Sequence, residues 1–188
     1  FRKELDSLDG SAARIKACRG ELANPEGKNT FRKIAAMETL VEMLDVQALS
    51  DLTPFLGHSY WRLRDRSREL AANLARAGGI TELVGILEES FDPAERAGIL
   101  AVLATSGNKS GIEPARSCLK DASPVVRVAA ARALTTLGGE GALPEVLAHF
   151  AVAREPNELS GFEEALLVGT DDPIRSAAVR DGLLEMLP

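Results

Sequence analysis

The stretch Asp121 to Leu147, DASPVVRVAAARALTTLGGEGALPEVL, constrains this chain more than any other. Ser123 suits the N-cap of a helix, and Pro124 falls at the first helical position, where a missing N–H costs nothing. Val126, Ala130, Ala133, Leu134 and Leu137 then recur at helical spacing as one apolar stripe. Ala129, Ala130 and Ala133 are small enough for a neighbouring helix to come close. Gly138-Gly139 stops the helix, because glycine accepts the left-handed conformation at a helix C-terminus. A second amphipathic segment starts at Ala142, with Leu143, Val146, Leu147 and Phe150 on one side.

The pattern recurs 31 positions earlier, where Asp92-Pro93 aligns with Ser123-Pro124, Arg96 with Arg127, Leu103 with Leu134 and Gly107 with Gly138. It returns near the end as Asp172-Pro173-Ile174-Arg175, then Ala177-Ala178. Upstream, Gly78-Gly79 with Leu83 and Leu87 matches Gly138-Gly139 with Leu143 and Leu147 at an offset of 60. A cap-proline start and a glycine stop returning at this period signal stacked helical repeats. At these residues the chain resembles HEAT-repeat proteins. Their motif places an Asp between two helices and a Val-Arg pair at the opening of the second; Asp121, Val126 and Arg127 match it. Pro114 and Pro144 lie in first helices, as prolines often do in that family. Trp61-Arg62-Leu63-Arg64 is similar to the Trp-Arg-Val-Arg variant of phosphatase scaffold subunits. The resemblance covers about 50–150 and the last seventeen residues, and thins before 50. It implies an all-α fold, a right-handed α-α superhelix (an α-solenoid) of about five HEAT-like helix pairs whose second helices line the concave side.

On this reading residues 1–188 form a single repeat domain. Residues 1–28 are a degenerate first repeat or a cap, 29–153 the regular repeats, and 154–188 a last repeat with an insertion. Ser11 is expected to open a helix to Leu22, and Asn29 or Thr30 one to about Leu44, in uncertain register because no Val-Arg pair opens it. Helices are then expected over Gln47–Leu56, Tyr60–Ala77, Gly79–Glu89, Pro93–Thr105, Gly111–Lys120, Pro124–Leu137 and Gly141–Ala153. Arg154-Glu155-Pro156-Asn157 reads as a break, followed by Gly161–Val168 and Pro173–Leu187.

Aromatics are only 4% of the 188 residues, so the core must rest on Leu, Ala, Ile and Val. No apolar run approaches 18 residues, so no membrane span is expected. The chain opens on Phe1 rather than Met, which suggests a fragment or processed form within a larger chain or complex; the compartment is unknown, cytoplasmic by default. Cys18 and Cys118 read as buried free thiols. Net charge is −6, with 13 Lys+Arg against 11 Asp+Glu over 1–79 and 9 against 17 over 80–188. The acidic half argues against general nucleic-acid affinity. Two His and two scattered Cys give no metal-ligand spacing, and nothing in the sequence calls for a cofactor.

The candidate working surface has two parts. Around the α-helix after Ser123, 100° per residue places Val128, Arg132 and Thr135 opposite the apolar stripe. Ala97, Ala101 and Ala104 hold the same positions one repeat earlier, and Ser176, Arg180 and Leu183 hold them in the last repeat. This shallow stripe is expected to accept a helix or extended segment of a protein partner. The second part is Arg62, Arg64, Arg66 and Arg68, which form two ridges on one helix and could grip phosphate or acidic peptide beside Tyr60 and Trp61. The competing view gives these arginines to acids or helix ends of the adjacent repeat, with Asp51, Asp65 and Glu69 as partners. Recurrence of Arg96, Arg127 and Arg175 points to packing, and the Asp and Ser residues before proline are helix caps. Gly107–Gly111 only mimics part of a phosphate loop, since no strand or upstream glycine accompanies it. Glu88-Glu89, Glu163-Glu164 and Asp171-Asp172 are solvated pairs, and neither His58 nor His149 has a nucleophile placed by motif.

The leading expectation is a non-enzymatic protein–protein interaction scaffold. The alternatives are an enzyme or enzyme subunit of HEAT-like type, whether bilin lyase-like or DNA-glycosylase-like, and a purely structural spacer. A deep pocket joining His58 or His149 to an acid would favour an enzyme.

Overall fold

The structure, a computed structural model, describes residues 1–25, 27–153 and 155–167. Two compact units divide it, Phe1–Val102 and Leu103–Pro188. All described secondary structure is helical, with no strand among the described residues.

The first unit opens with α1 (Arg2–Asp6) and α2 (Ser11–Leu22), which starts after Gly10. α3 (Thr30–Leu44) packs on α2 and buries Ala36, Met37 and Leu40. The expected helix Gln47–Leu56 is instead a 3-10 turn at Asp45–Ala48, α4 (Leu49–Leu52) and a second 3-10 turn at Thr53–Phe55. Pro54 accounts for the break, because it donates no N–H and crowds the preceding turn. α5 (Trp61–Leu74) packs on α3 and α4 and buries Leu63, Leu70, Ala71 and Leu74. It runs into a widened turn at Ala75–Gly79, and α6 (Ile80–Glu89) follows. The stretch Trp61–Glu89 is long and apolar enough to cross a membrane, which corrects the expectation that none is. It is not one rod, however: Gly78 has φ 120°, and half of the most apolar window is buried. These are the marks of two core helices.

α7 (Pro93–Ser106) crosses the boundary between the units. Its start sits so close to the turn after α4 that a Cβ on Gly98 would lie 2.5 Å from Leu56 Cβ. The second unit continues with α8 (Ile112–Cys118), α9 (Pro124–Gly138), α10 (Leu143–Val152) and α11 (Pro156–Leu167). α9 packs on α8 and α11, and α10 packs on α11. Val126, Ala130, Ala133 and Leu134 are all 0% exposed, as the apolar stripe predicts. At 1.5–3 kcal/mol for a fully buried aliphatic side chain, Val126 and Leu134 alone contribute roughly 3–6 kcal/mol.

The break expected at 154–157 is corrected. The chain leaves the helix after Val152, but Pro156 is already the first residue of α11, so helix resumes inside the expected break. Pro93, Pro124 and Pro156 are spaced 31 and 32 residues apart and each opens a helix, so α11 is the second helix to α10. Of the expected segment Gly161–Val168, residues 161–167 are the later part of this helix, while Val168 and Pro173–Leu187 lie outside the described residues.

Candidate functional site

One cation recurs at the fourth or nearby position of successive second helices and turns back on the loop before it. Lys33 donates to the carbonyls of Pro25 (2.7 Å) and Gly27 (2.6 Å). Arg64 donates to His58 O (3.2 Å) and Ser59 O (3.4 Å), Arg96 to Ser90 O (3.2 Å), and Arg127 to Asp121 O (2.8 Å) and Ala122 O (2.9 Å). The spacings are 31, 32 and 31 residues, which settles the register of α3. Lysine can stand for the motif arginine because the task is to satisfy carbonyls, not to form a bidentate fork. Lys33 is only 2% exposed, so its ammonium is held by these carbonyls inside the fold, and Gly27 O would lose this donor without it.

The caps work as a variation on what the sequence suggests. Asp92 Oδ1 accepts from the Ala94 N–H at 3.0 Å, as a helix cap should. Ser123 holds the N-cap position, but its side chain makes no cap bond; Asp121 Oδ1 instead accepts the Ser123 N–H at 2.8 Å. Asp172, Arg175, Ser176, Arg180 and Leu183 lie outside the described residues.

Of the three surface positions expected on α9, Thr135 is buried, Val128 is partly covered and Arg132 is exposed. Thr135 is buried, and its hydroxyl donates to Ala131 O and Arg132 O, both at 3.1 Å. Val128 faces α11: a Cβ on Gly161 would lie 2.6 Å from Val128 Cγ1. Arg132 is exposed but ion-paired to Glu164 of α11. The wheel misplaced Thr135 and Val128 because it assumed one buried face. A second helix in a stack is buried both by its own first helix and by the next second helix, so its solvent face narrows to Val125, Arg132 and Thr136.

On α5 the arginines divide in the same way. Arg66 Nη2 donates to Glu38 of α3 at 2.7 Å and Arg66 Nη1 to Glu69 at 2.7 Å; these bonds raise its pKa. Arg68 Nε donates to Leu56 O at 2.7 Å, and burial, with Arg64 nearby, lowers its pKa. Both are engaged within the fold. Asp51 pairs with Arg19 at 2.9 Å rather than with an α5 arginine. Similar ties between successive repeats join Arg116 to Glu145 (2.8 Å) and Arg127 to Glu158 (2.5 Å).

What remains outward is the start of α5. Tyr60 and Trp61 are 40% and 54% exposed, with ring centroids 6.5 Å apart. The Arg62 guanidinium lies 5.2 Å from the Trp61 ring centroid and has no ion pair among the described residues. His58 braces this corner from beneath. Its Nδ1 accepts the Tyr60 N–H at 2.9 Å, so Nε2 carries the proton that reaches Pro25 O at 3.1 Å, and its ring stacks on Phe55.

His149 borders a cleft of about 290 Å³ with Arg127, Val152, Glu155, Glu158 and Phe162. This joins a histidine to acids, but Glu158 is 5% exposed and held by Arg127, a structural use rather than a free base. No group of three or more potential metal ligands occurs among the described residues. Cys18 and Cys118 are buried and not in a disulfide, as expected; burial, with Asp51 adding, pushes the Cys18 thiol up.

The family model described as HEAT repeats matches residues 80–181, more than half of the chain. No curated protein matches the chain. The motif cations carry the same register upstream of that match, through Arg64 to Lys33. The chain belongs to the HEAT-repeat family.

Proposed function

We propose that this chain is a non-enzymatic protein-interaction module, acting within a larger protein or complex. HEAT repeats commonly serve as protein-interaction scaffolds, and the physics of stacking explains why: each helix pair hides its core on its neighbours and offers breadth of surface. On the first unit the interaction surface is centred on Tyr60, Trp61 and Arg62 at the start of a second helix; on the second unit, taken by itself, exposed Arg132 is a lesser candidate. Arg66, Arg68, Val128 and Thr135 support these surfaces from within the fold.

One observation carries this reading. In a stack whose other arginines are largely consumed by carbonyls and acids, two aromatic rings and a cation stand outward together at Tyr60–Arg62. Trp, Tyr and Arg are the residues that most often dominate binding energy at interfaces. A displayed peptide library panned against the chain tests it. Enriched peptides should lose binding to the double variant W61A/R62E. Failure to enrich any sequence, or enrichment indifferent to the double variant, would remove the proposal.

A further inference from the structure

We propose that the interhelix-turn edge of the first unit is a docking ridge for an extended, acidic segment of a partner protein with a bulky apolar side chain at about every third residue. The inference rests on the protein-interaction reading and specifies the partner's chemistry.

Three successive turns each present a large apolar side chain to solvent. Phe31, in the first turn of α3, is 76% exposed; Trp61, opening α5, is 54% exposed; Phe91, just before α7, is 97% exposed. None of them serves the core. The turns abut in order: His58 Nε2 meets Pro25 O at 3.1 Å, and Gly57 lies so close to Ala94 that an added Cβ would be 2.4 Å from its carbonyl oxygen. The turns that carry the exposed rings therefore follow one edge, one repeat after another.

The charge on this edge selects the partner. Arg62 is exposed over Trp61 without an ion pair among the described residues, and Lys28 is exposed in the first turn. The acids beside them are committed: Asp65 pairs with Arg64 at 3.4 Å, and Asp92 caps α7. Glu88 and Glu89 end α6 near Phe91 and are exposed. The partner's carboxylates thus belong over Lys28 and Arg62, and its uncharged apolar end over Phe91.

Spacing selects an extended conformation. Packed helices stand about 8–10 Å apart. A polyproline II segment rises about 3.1 Å per residue with three residues per turn, so side chains three apart share a face about 9 Å apart, one per repeat. A helical ligand reaches this spacing only through i and i+7 side chains, about 10.5 Å apart, and so needs about seven residues per repeat where a polyproline II segment needs three.

Trp61 is the chain's only tryptophan, so its fluorescence reads the ridge directly. The probe is a capped synthetic peptide of about twelve residues in a proline frame, with Leu at every third position and Glu beside the first two Leu. Saturable quenching or a spectral shift is expected with Kd of roughly 1–100 μM. R62E should weaken binding about tenfold or more, and a peptide with Lys in place of Glu should recover it; F91A should weaken it several-fold. These side chains are exposed, and unchanged circular dichroism would establish that the variants fold. Equal binding of the Glu and Lys peptides to the unaltered chain overturns the proposal, as does no saturable signal up to about 1 mM. So does a ridge that instead self-associates, as dimerisation abolished by F91A, or that responds only to phosphatidylserine–phosphatidylcholine vesicles. If this peptide fails while library peptides still bind through Trp61, the ligand chemistry is wrong and the interaction module stands; if both fail, neither does.

Discussion

Gly98 and Gly85 both sit within helices of the first unit, yet alanine should act on them in opposite directions. Ordinary helix propensity favours alanine over glycine by about 1 kcal/mol. At Gly85, in α6, nothing lies within 4 Å of an added Cβ, so G85A should gain most of that amount. At Gly98 the added Cβ would lie 2.5 Å from Leu56 Cβ and 2.6 Å from Leu56 C, with Leu56 fully buried. Relief requires the two backbones to part by about 1 Å, and overpacking of this kind costs about 1–3 kcal/mol. The displaced carbonyl is also the acceptor of the 2.7 Å bond from Arg68, worth about another 1 kcal/mol. G98A should therefore lose about 1–3 kcal/mol net, leaving the two variants about 2–4 kcal/mol apart. For a chain of this size each kcal/mol moves Tm by about 2–4 °C, so their melting curves should separate by about 5–15 °C, with wild type between. Thermal unfolding followed by far-UV circular dichroism decides it. If both variants shift upward together, the close approach of α7 to the Leu56 turn is wrong.

Further outcomes follow from the same contacts. Lys33→Met should cost about 1–2 kcal/mol, because the Gly27 carbonyl loses its Lys33 donor while Pro25 O keeps the contact from His58, and Lys33→Arg should restore part of the loss; urea unfolding checks both. Glu158→Ala, which strips a half-buried arginine of its acid, should cost about 1–3 kcal/mol, and Glu164→Ala, at an exposed pair, no more than about 0.5 kcal/mol. Cys18 and Cys118 should resist iodoacetamide in the native protein and react on unfolding, as mass spectrometry would record; rapid native modification of Cys18, whose thiol pKa is raised, would contradict its burial.

The helices were legible because their start and stop chemistry repeats. Pro124 and Gly139 bound α9 where the sequence places them, and Gly139 adopts φ 58° as a stop should. The missed element, α11, carried the same signal: Pro156 lies 32 residues after Pro124, but the charged and turn-forming Arg154-Glu155-Pro156-Asn157 reads as a break when the period is ignored. The register of α3 was hidden by a lysine doing the arginine's work. The site was less legible, for a physical reason. A wheel built on one helix sees one buried face, while burial of Thr135 and the packing of Val128 against Gly161 come from a neighbouring helix 30 or so residues away. Likewise four alternating arginines look equivalent in sequence, and only their partners, Glu38 for Arg66 and the Leu56 carbonyl for Arg68, set them apart from Arg62.

The most direct test of the account is photo-cross-linking from two positions of the protein in its native host. A benzophenone amino acid replaces Trp61 on the proposed binding edge in one strain and Glu82, an exposed residue of the first turn of α6, in the other. The account predicts a discrete protein adduct from position 61, lost when Arg62→Glu is added, and none from position 82. Adducts from position 82 alone, or adducts from 61 that persist unchanged with Arg62→Glu, would contradict it.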